Sequence, residues 1–337
     1  MKCSKKVVIA LLYHKGRSEV LSKVLDSISN LERKGSSIGL ILVNNNADES
    51  TEKVVNDWLN KHQKDFEDII CVKLDGNVPM LRNFCLRKAM ELKYDYIFFV
   101  DSDVILTRDS LQRLLNVFER SDSDKIFASS LPYFVPIDKD TLFTRVRMKY
   151  GKGSLAPLEQ NKQPYVVPSI GMGATLINLS LIPKVGFFDE EIPYIEDLNL
   201  TRRATNAGYK IILDPSVQLV HDKKVDTIEW LKKTYELGEI EFKNMIKIGT
   251  WKSELRGIIY WSAYLFSLFL VIITPIPFIL LFLVGYAQYI NKFDGIGKII
   301  GFPILSVYKI VRTIGIIKGS VLYFYKVFLK HAKAKYR

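Results

Sequence analysis

Cysteine is scarce in this chain. Cys3, Cys71 and Cys85 are the only three among 337 residues, an odd and widely spaced set that excludes a disulfide framework and any metal-ligand spacing. Cys71 falls in a β-type run and Cys85 in a helical one, so both are expected to be small buried hydrophobes. A long apolar run is missing near the start: Met1–Lys6 leads into only six apolar residues, Val7–Leu12, before Tyr13 and His14. That is too short for a signal-peptide core, and the first domain is expected on the cytoplasmic side. No internal repeat is visible.

Acidic residues are nearly absent from the last third. From Phe242 to Arg337 there are fourteen Lys/Arg against Glu254 and Asp294 alone, which contains the whole formal charge of +12. Residues 1–241 are balanced. A basic surplus confined to the segment that carries the apolar runs suits an anionic membrane surface. With no zinc-ligand or helix-turn-helix pattern beside it, the charge does not point to nucleic acid.

The first two hundred residues alternate compact apolar runs with helical stretches. Val7–Leu12, Leu40–Val43, Ile69–Leu74 and Tyr96–Val100 read as strands covered on both faces. Between them Glu19–Leu31, Ser50–Phe66 and Met80–Leu92 have helical spacing. Strand, helix, strand in this order predicts right-handed crossovers and an α/β, doubly wound, mostly parallel sheet. Ligands bind such sheets beyond the carboxyl ends of the strands. Residues 134–169, rich in Pro and Gly, read as a loop or acceptor-side insertion. Ala174–Asn178 and Lys210–Leu213 are further strands.

Asp101-Ser102-Asp103 stands where a ligand would bind, directly after the apolar run Tyr96–Val100. Two carboxylates one residue apart can share a divalent cation through hard oxygen ligands, which would help a diphosphate depart. A strand-end turn fits the same string. Asp122-Ser-Asp124 and Asp138-Lys-Asp140 repeat it without a comparable strand and read as solvated turns.

The surrounding motifs resemble family 2 glycosyltransferases. Leu40–Val43 running into Asn44-Asn45-Asn46 is similar to that family's second-strand motif, which ends on the nucleotide. Asp75-Gly-Asn-Val-Pro-Met-Leu-Arg82-Asn83 resembles the next element, where an Arg-Asn pair opens a helix near the phosphates. Tyr96–Asp103 looks like the metal-binding strand, Pro193–Arg202 with Glu196-Asp197 like the acidic acceptor motif, and Val217–His221 like the last strand with its metal-side histidine. The elements keep the family's order over roughly residues 5–225.

The resemblance implies a GT-A (nucleotide-diphospho-sugar transferase) fold, a UDP- or GDP-linked sugar donor, Mn2+ or Mg2+, and inversion at the anomeric carbon. By position it assigns Asp197 as general base with Glu196 beside it, Asn44, Asn46, Asp75, Arg82 and Asp101 to the nucleotide sugar, and Asp101, Asp103 and His221 to the metal. A helix cap at Glu196-Asp197, a strand-end histidine at His221 and a surface arginine at Arg82 are the plainer readings. Asn44 and Asn199 depart from acids common in the family, Pro79 and Met80 from small residues. No Gln-x-x-Arg-Trp follows His221, which weakens a processive synthase.

Ile258–Ile290 is 33 residues without a charge, interrupted at Thr274-Pro275-Ile276-Pro277. One straight helix of that length would span about 50 Å against a hydrocarbon core of about 30 Å, so a hairpin of two short crossings is expected, with a re-entrant or buried helical hairpin as the plainer reading. Tyr260, Trp261 and Tyr264 at one end and Tyr286 and Tyr289 at the other suit a shared interface. Within 304–330, Lys309, Arg312, Lys326 and Lys330 fall in an arc of about 100° with Lys318 outside it, as in an amphipathic helix lying in the interface; a third span is the alternative.

The expected organisation is therefore a GT-A domain over 1–225, amphipathic linker helices over 226–256, a transmembrane hairpin over 257–291 and a basic interfacial helix and tail over 296–337. The acceptor is expected to be a hydroxyl of a lipid-linked or membrane-proximal glycan. A polyprenyl-phosphate sugar synthase, or a non-catalytic membrane protein on the same fold, are the rival readings.

Overall fold

The computed structural model describes residues 5–33, 35–119, 123–136, 141, 142, 145, 146, 149, 163–222, 226–248, 251–270 and 275–335. Asp122, Asp138, Asp140 and most of the 134–169 insertion lie outside them. Two compact units emerge: Met1–Pro136 with Glu159–Lys223, and Ile137–Leu158 with Lys224–Arg337.

The first unit is built on strands β1 (Lys5–Tyr13), β2 (Ser36–Asn44), β3 (Ile69–Lys73), β4 (Tyr96–Asp101), β5 (Val104–Ile105), β6 (Ile126–Ser130), β7 (Tyr133–Phe134), β8 (Tyr165–Val167), β9 (Ala174–Asn178), β10 (Lys210–Leu213) and β11 (Leu219–His221). Eight form one sheet in the order β3-β2-β1-β4-β9-β6-β10-β8. β9 runs antiparallel to β4 and β6, and β8 antiparallel to β10; every other pairing is parallel. The carboxyl ends of β1, β2, β3, β4 and β6 thus share one edge with the start of β9.

Helices α1 (Ser18–Ser29), α2 (Glu49–His62), α3 (Val78–Glu91) and α4 (Ser110–Val117) make the crossovers. Alternation along β1 explains the two layers. Val7, Ile9 and Leu11 enter one core with Leu21, Leu25, Trp58 and Leu114. Val8 and Ala10 enter the other with Leu81, Cys85 and Leu86. Burying one such aliphatic side chain contributes roughly 1.5–3 kcal/mol, so shifting the register of β1 by one residue would exchange both faces at once.

One expectation needs correction. Cys85 is buried, but Cys71 is exposed. The cause is position: β3 closes the sheet, and its residues alternate between half-buried and exposed rather than being covered twice. Pro79 fits the start of α3 without distortion, because it occupies the first turn, where no intrahelical N–H is required. Asn77 caps that turn, its side chain accepting from the Met80 N–H at 3.0 Å.

After β9 come the one-turn α5 (Ile182–Val185) and then α6 (Glu196–Asn206). A second, three-stranded sheet in the order β5-β11-β7 sets His221 opposite Val104 and Leu219 beside Tyr133. This small sheet folds the end of the domain back over the Asp101–Asp103 turn.

The second unit holds α7 (Thr227–Ile248), α8 (Trp251–Leu270), α9 (Ile276–Tyr289) and α10 (Gly297–Lys335). Pro275 precedes α9 at the break the sequence suggests, and the Tyr260 hydroxyl of α8 donates to the Leu281 carbonyl of α9 at 2.8 Å. α7 and α10 touch backbone to backbone: a Cβ on Gly238 would lie 2.2 Å from the Arg312 carbonyl oxygen, and one on Gly315 2.1 Å from that of Tyr235. Arg312 pairs with Glu241 and Lys318 with Glu239 at 2.8 Å, so Arg312 faces α7 rather than water. Among the described helices, Gly297–Tyr325 is long and apolar enough to cross a membrane, with mean hydropathy 1.6; Ile276–Lys292 is apolar but shorter. The longest apolar helix is therefore the stretch whose charges suggest an interfacial position.

Candidate active site

The chemistry gathers at the shared edge of the large sheet. β2 ends on Asn44, which is buried and held within the chain: its Nδ2 donates to Glu52 Oε1 at 2.7 Å and its Oδ1 accepts from the Ala47 N–H at 2.8 Å. The loop it shapes turns through Asn46, whose φ of +57° an asparagine tolerates. Asn46 Nδ2 reaches Asp75 Oδ1 at 2.9 Å, and Asn45 Nδ2 reaches the Gly76 carbonyl at 3.3 Å. The two loops expected to meet the nucleotide are thus tied to each other, with Asn46 and Asp75 on the exposed side.

Arg82 is not a surface residue. Only 6% exposed, it lies between Asp101 Oδ1 at 3.1 Å and Glu196 Oε1 at 2.5 Å, its guanidinium 5.8 Å from the ring centres of Phe99 and Phe188. Burial works against its charge, but Asp101, Glu196 and Asp197 outweigh that and raise its pKa. Asn83 holds the neighbouring loop, donating to the Phe188 carbonyl at 3.0 Å and accepting the Phe188 N–H at 2.9 Å.

Glu196 and Asp197 open α6 without capping it. The cap position is Ile195, in a left-handed conformation with φ 56° and no side-chain bond to the helix. Asp197 Oδ1 accepts the Leu198 N–H at 2.7 Å. Burial raises the pKa of Glu196 despite Arg82, and does the same at Asp197. One guanidinium serves three carboxylates here, and the uncompensated negative charge favours taking up a proton.

Asp103 is held in the opposite sense. Burial would push its carboxyl up, but His221 and Arg17 outweigh it and hold it well below the usual carboxylate range. His221 Nε2 lies 2.9 Å from Asp103 Oδ1, and the Arg17 guanidinium contacts Oδ2. The Asp222 N–H donates to the Asp103 carbonyl at 2.8 Å.

Arg17 and Tyr133 carry no motif that marks them in the sequence. Tyr133 stands edge-on to His221, with ring centres 5.2 Å apart. Its pKa is raised by burial and by the nearby Asp101 and Asp197 carboxylates. Room for it comes from Gly171-Met172-Gly173 ahead of β9: a Cβ on Gly173 would lie 2.6 Å from the tyrosine ring, and one on Gly171 3.1 Å from its hydroxyl and 3.3 Å from Asp197 Oδ2. Two glycines just before a strand are the one signal that could have found this packing.

Among the described residues no three His, Cys, Asp or Glu side chains converge as a preformed metal cage. Asp103 and His221 touch each other, while Asp101 turns to Arg82. One carboxylate with an imidazole beside it suits Mn2+ better than the oxygen-preferring Mg2+, and either ion would complete its coordination with water and substrate phosphate. The donor set therefore fits a cation delivered with a diphosphate.

A mixed sheet with an Asp-x-Asp turn at its carboxyl edge, faced by an acidic helix start, defines a glycosyltransferase of GT-A architecture. The chain belongs to glycosyl transferase family 2, whose model matches residues 8–184. In sequence it is 27% identical over 141 residues, 41% of this chain, to the pre-mycofactocin glycosyltransferase of Mycobacterium tuberculosis (strain CDC 1551 / Oshkosh); the match spans 29% of that relative's length. In fold it resembles the mannosyltransferase PcManGT from Pyrobaculum calidifontis, solved with GDP-Man and Mn2+, with a TM-score of 0.64 at 13% identity over 93% of this chain and 86% of that one. GalNAc-T7, solved with UDP, GalNAc and Mn2+, aligns at a TM-score of 0.52 and 11% identity over 72% of this chain and 51% of that one.

Proposed function

We propose that this enzyme transfers a sugar from a UDP- or GDP-linked donor to a hydroxyl of a lipid-linked or membrane-proximal glycan, with inversion and with Mn2+ or Mg2+. The observation that carries the reading is the contrast within one site between Asp103, kept ionised by His221 and Arg17, and Glu196-Asp197, shifted toward protonation by burial. An ionised carboxylate suits a cation; a carboxylate with a raised pKa suits accepting a proton near neutral pH. The solved relatives' nucleotide and Mn2+ complexes support the same assignment of chemistry.

In this reading Asp103 and His221 hold the cation and Asp101 takes the nucleotide side. The cation would offset the charge of the departing diphosphate. Asn46 and Asp75 meet the nucleotide on the loops that Asn44 shapes, and Arg82 fixes Asp101 relative to Glu196. Asp197 removes the acceptor proton while Glu196 and Tyr133 bound the space around it. Base and diphosphate on opposite sides of the anomeric carbon favour in-line displacement. Membrane attachment through the second unit is supported by its basic surplus and by the apolar Gly297–Tyr325 helix. Full-length protein should remain with liposomes after a high-salt wash, and release into the soluble fraction would refute the anchor.

The test of the base is Asp197→Asn. Donor affinity should stay within a few-fold of wild type while turnover falls roughly 10²–10⁴-fold, the usual cost of a lost general base. A variant that stays active would remove Asp197 from the mechanism and favour a phosphate acceptor, which needs no base.

A further inference from the structure

The two oxygens of Asp103 are engaged by groups of different kinds. Oδ1 faces His221 Nε2 at 2.9 Å, and a neutral imidazole nitrogen can itself bind a metal. Oδ2 faces the Arg17 guanidinium, which has five donors, no lone pair to offer and no accessible neutral form. A cation that joins His221 on Asp103 shares the carboxylate with Arg17, whose positive charge at the other oxygen repels it and weakens its hold. Moving Arg17 off Asp103 would remove that repulsion.

The backbone sets Arg17 at this spot. It follows Gly16, whose φ of +76° is open to glycine and strained for other residues. The Gly16 N–H is pinned to Asp48 Oδ2 at 2.8 Å, while Asp48 Oδ1 accepts from the Thr51 N–H at 2.9 Å. One aspartate thereby couples the loop after β1 to the start of α2. Arg17 also immediately precedes α1, whose N-terminal N–H groups carry partial positive charge. The Arg17 side chain is 21% exposed and Asp103 8%, so the guanidinium keeps a route toward solvent that the carboxylate lacks.

From this geometry we infer that Arg17 makes the cation site conditional on the donor: it neutralises Asp103 in the free enzyme and moves onto the diphosphate when a nucleotide arrives, freeing Asp103 for the metal. The planar guanidinium matches phosphate oxygens as well as it matches a carboxylate, so the exchange replaces one charged pair with another. Arg17 is a positioning residue here, acting on the metal through Asp103. The inference rests on the metal-dependent reading above.

Mn2+ binding to the full-length chain, followed by the electron paramagnetic resonance of free Mn2+, tests it without turnover. Wild type should bind Mn2+ weakly alone and much more tightly with UDP or GDP. Arg17→Gln should tighten binding of Mn2+ alone by at least about tenfold, because a unit charge in contact with the ligand is removed. The same variant should bind the nucleoside diphosphate less tightly in EDTA, by roughly tenfold for a lost charge-assisted pair. Arg17→Lys, which keeps the charge, should fall between the two and serves if the glutamine variant melts early. Nucleotide-dependent Mn2+ binding in wild type with an unchanged Mn2+-alone affinity in Arg17→Gln would overturn the role of Arg17 alone. No Mn2+ binding to wild type even with nucleotide would overturn the metal reading, and this inference with it.

Discussion

Asp103 and the Glu196-Asp197 pair lie at the same edge of one sheet, yet their surroundings drive them apart. Asp103 has a histidine and an arginine largely to itself, and its charge is favoured despite burial. Glu196 and Asp197 share Arg82 with Asp101, and burial prevails. Exposure does not explain the contrast: the side chains of Asp103 and Glu196 are each 8% exposed. The ratio of guanidinium groups to carboxylates does, one for Asp103 against one for three acids, and on that basis Asp103 is proposed to hold a cation and Asp197 to accept a proton.

The strongest way to break the comparison is to remove Arg82. Arg82→Ala would leave the Asp101 and Glu196 carboxylates without their shared partner, and disrupting a buried pair from one side typically costs about 3–5 kcal/mol. Urea unfolding should register that loss, and a variant as stable as wild type would refute the shared-partner account.

A milder intervention is pH. With its pKa raised by burial, Asp197 should impose an acidic limb on kcat/KM above the ordinary aspartate value of about 3.9. Arg82 lowers that pKa, so Arg82→Gln should move the limb to still higher pH. A shift in the other direction would contradict the assigned electrostatics.

The smallest effect sharpens the Asp103 side. Its folded pKa is depressed, so its contribution to stability is complete above the unfolded value of about 3.9 and is lost as pH falls through the folded one. The stability difference between wild type and Asp103→Asn should therefore be largest near neutrality and shrink below about pH 4. A difference that grows on acidification would reverse the sign.

Much of the sheet was legible because β1, β2 and β4 are buried on both sides, and continuous apolar runs signal that directly. β3 misled at Cys71, since an edge strand has the same local sequence and only its place in the sheet exposes it. The Asp101–Asp103 turn stood out because a strand delivers it to the ligand edge. Arg82 was ambiguous: the residues that bury it, Phe99 and Phe188, come from elements far apart in the chain. Arg17 and Tyr133 were invisible for a related reason: Arg17 acts through Asp103, on the turn after β4, and Tyr133 through His221 and the glycines ahead of β9. Arg312 meets a different environment from the one its own helix suggests, because the facing carboxylate, Glu241, lies 71 residues away on α7.

The pairs Arg312–Glu241 and Lys318–Glu239 have an electrical consequence. A membrane potential does work on net charge, about 2.3 kcal/mol for each elementary charge carried across 100 mV. Each cation on α10 that meets a carboxylate of α7 cancels at close range, and the pair presents a local dipole to the field. Glycines that bring the two backbones into contact keep those opposite charges together. Seated in a bilayer, this stretch of the helix pair would hold its depth as the voltage changes, unlike a helix carrying the same arginine and lysine alone.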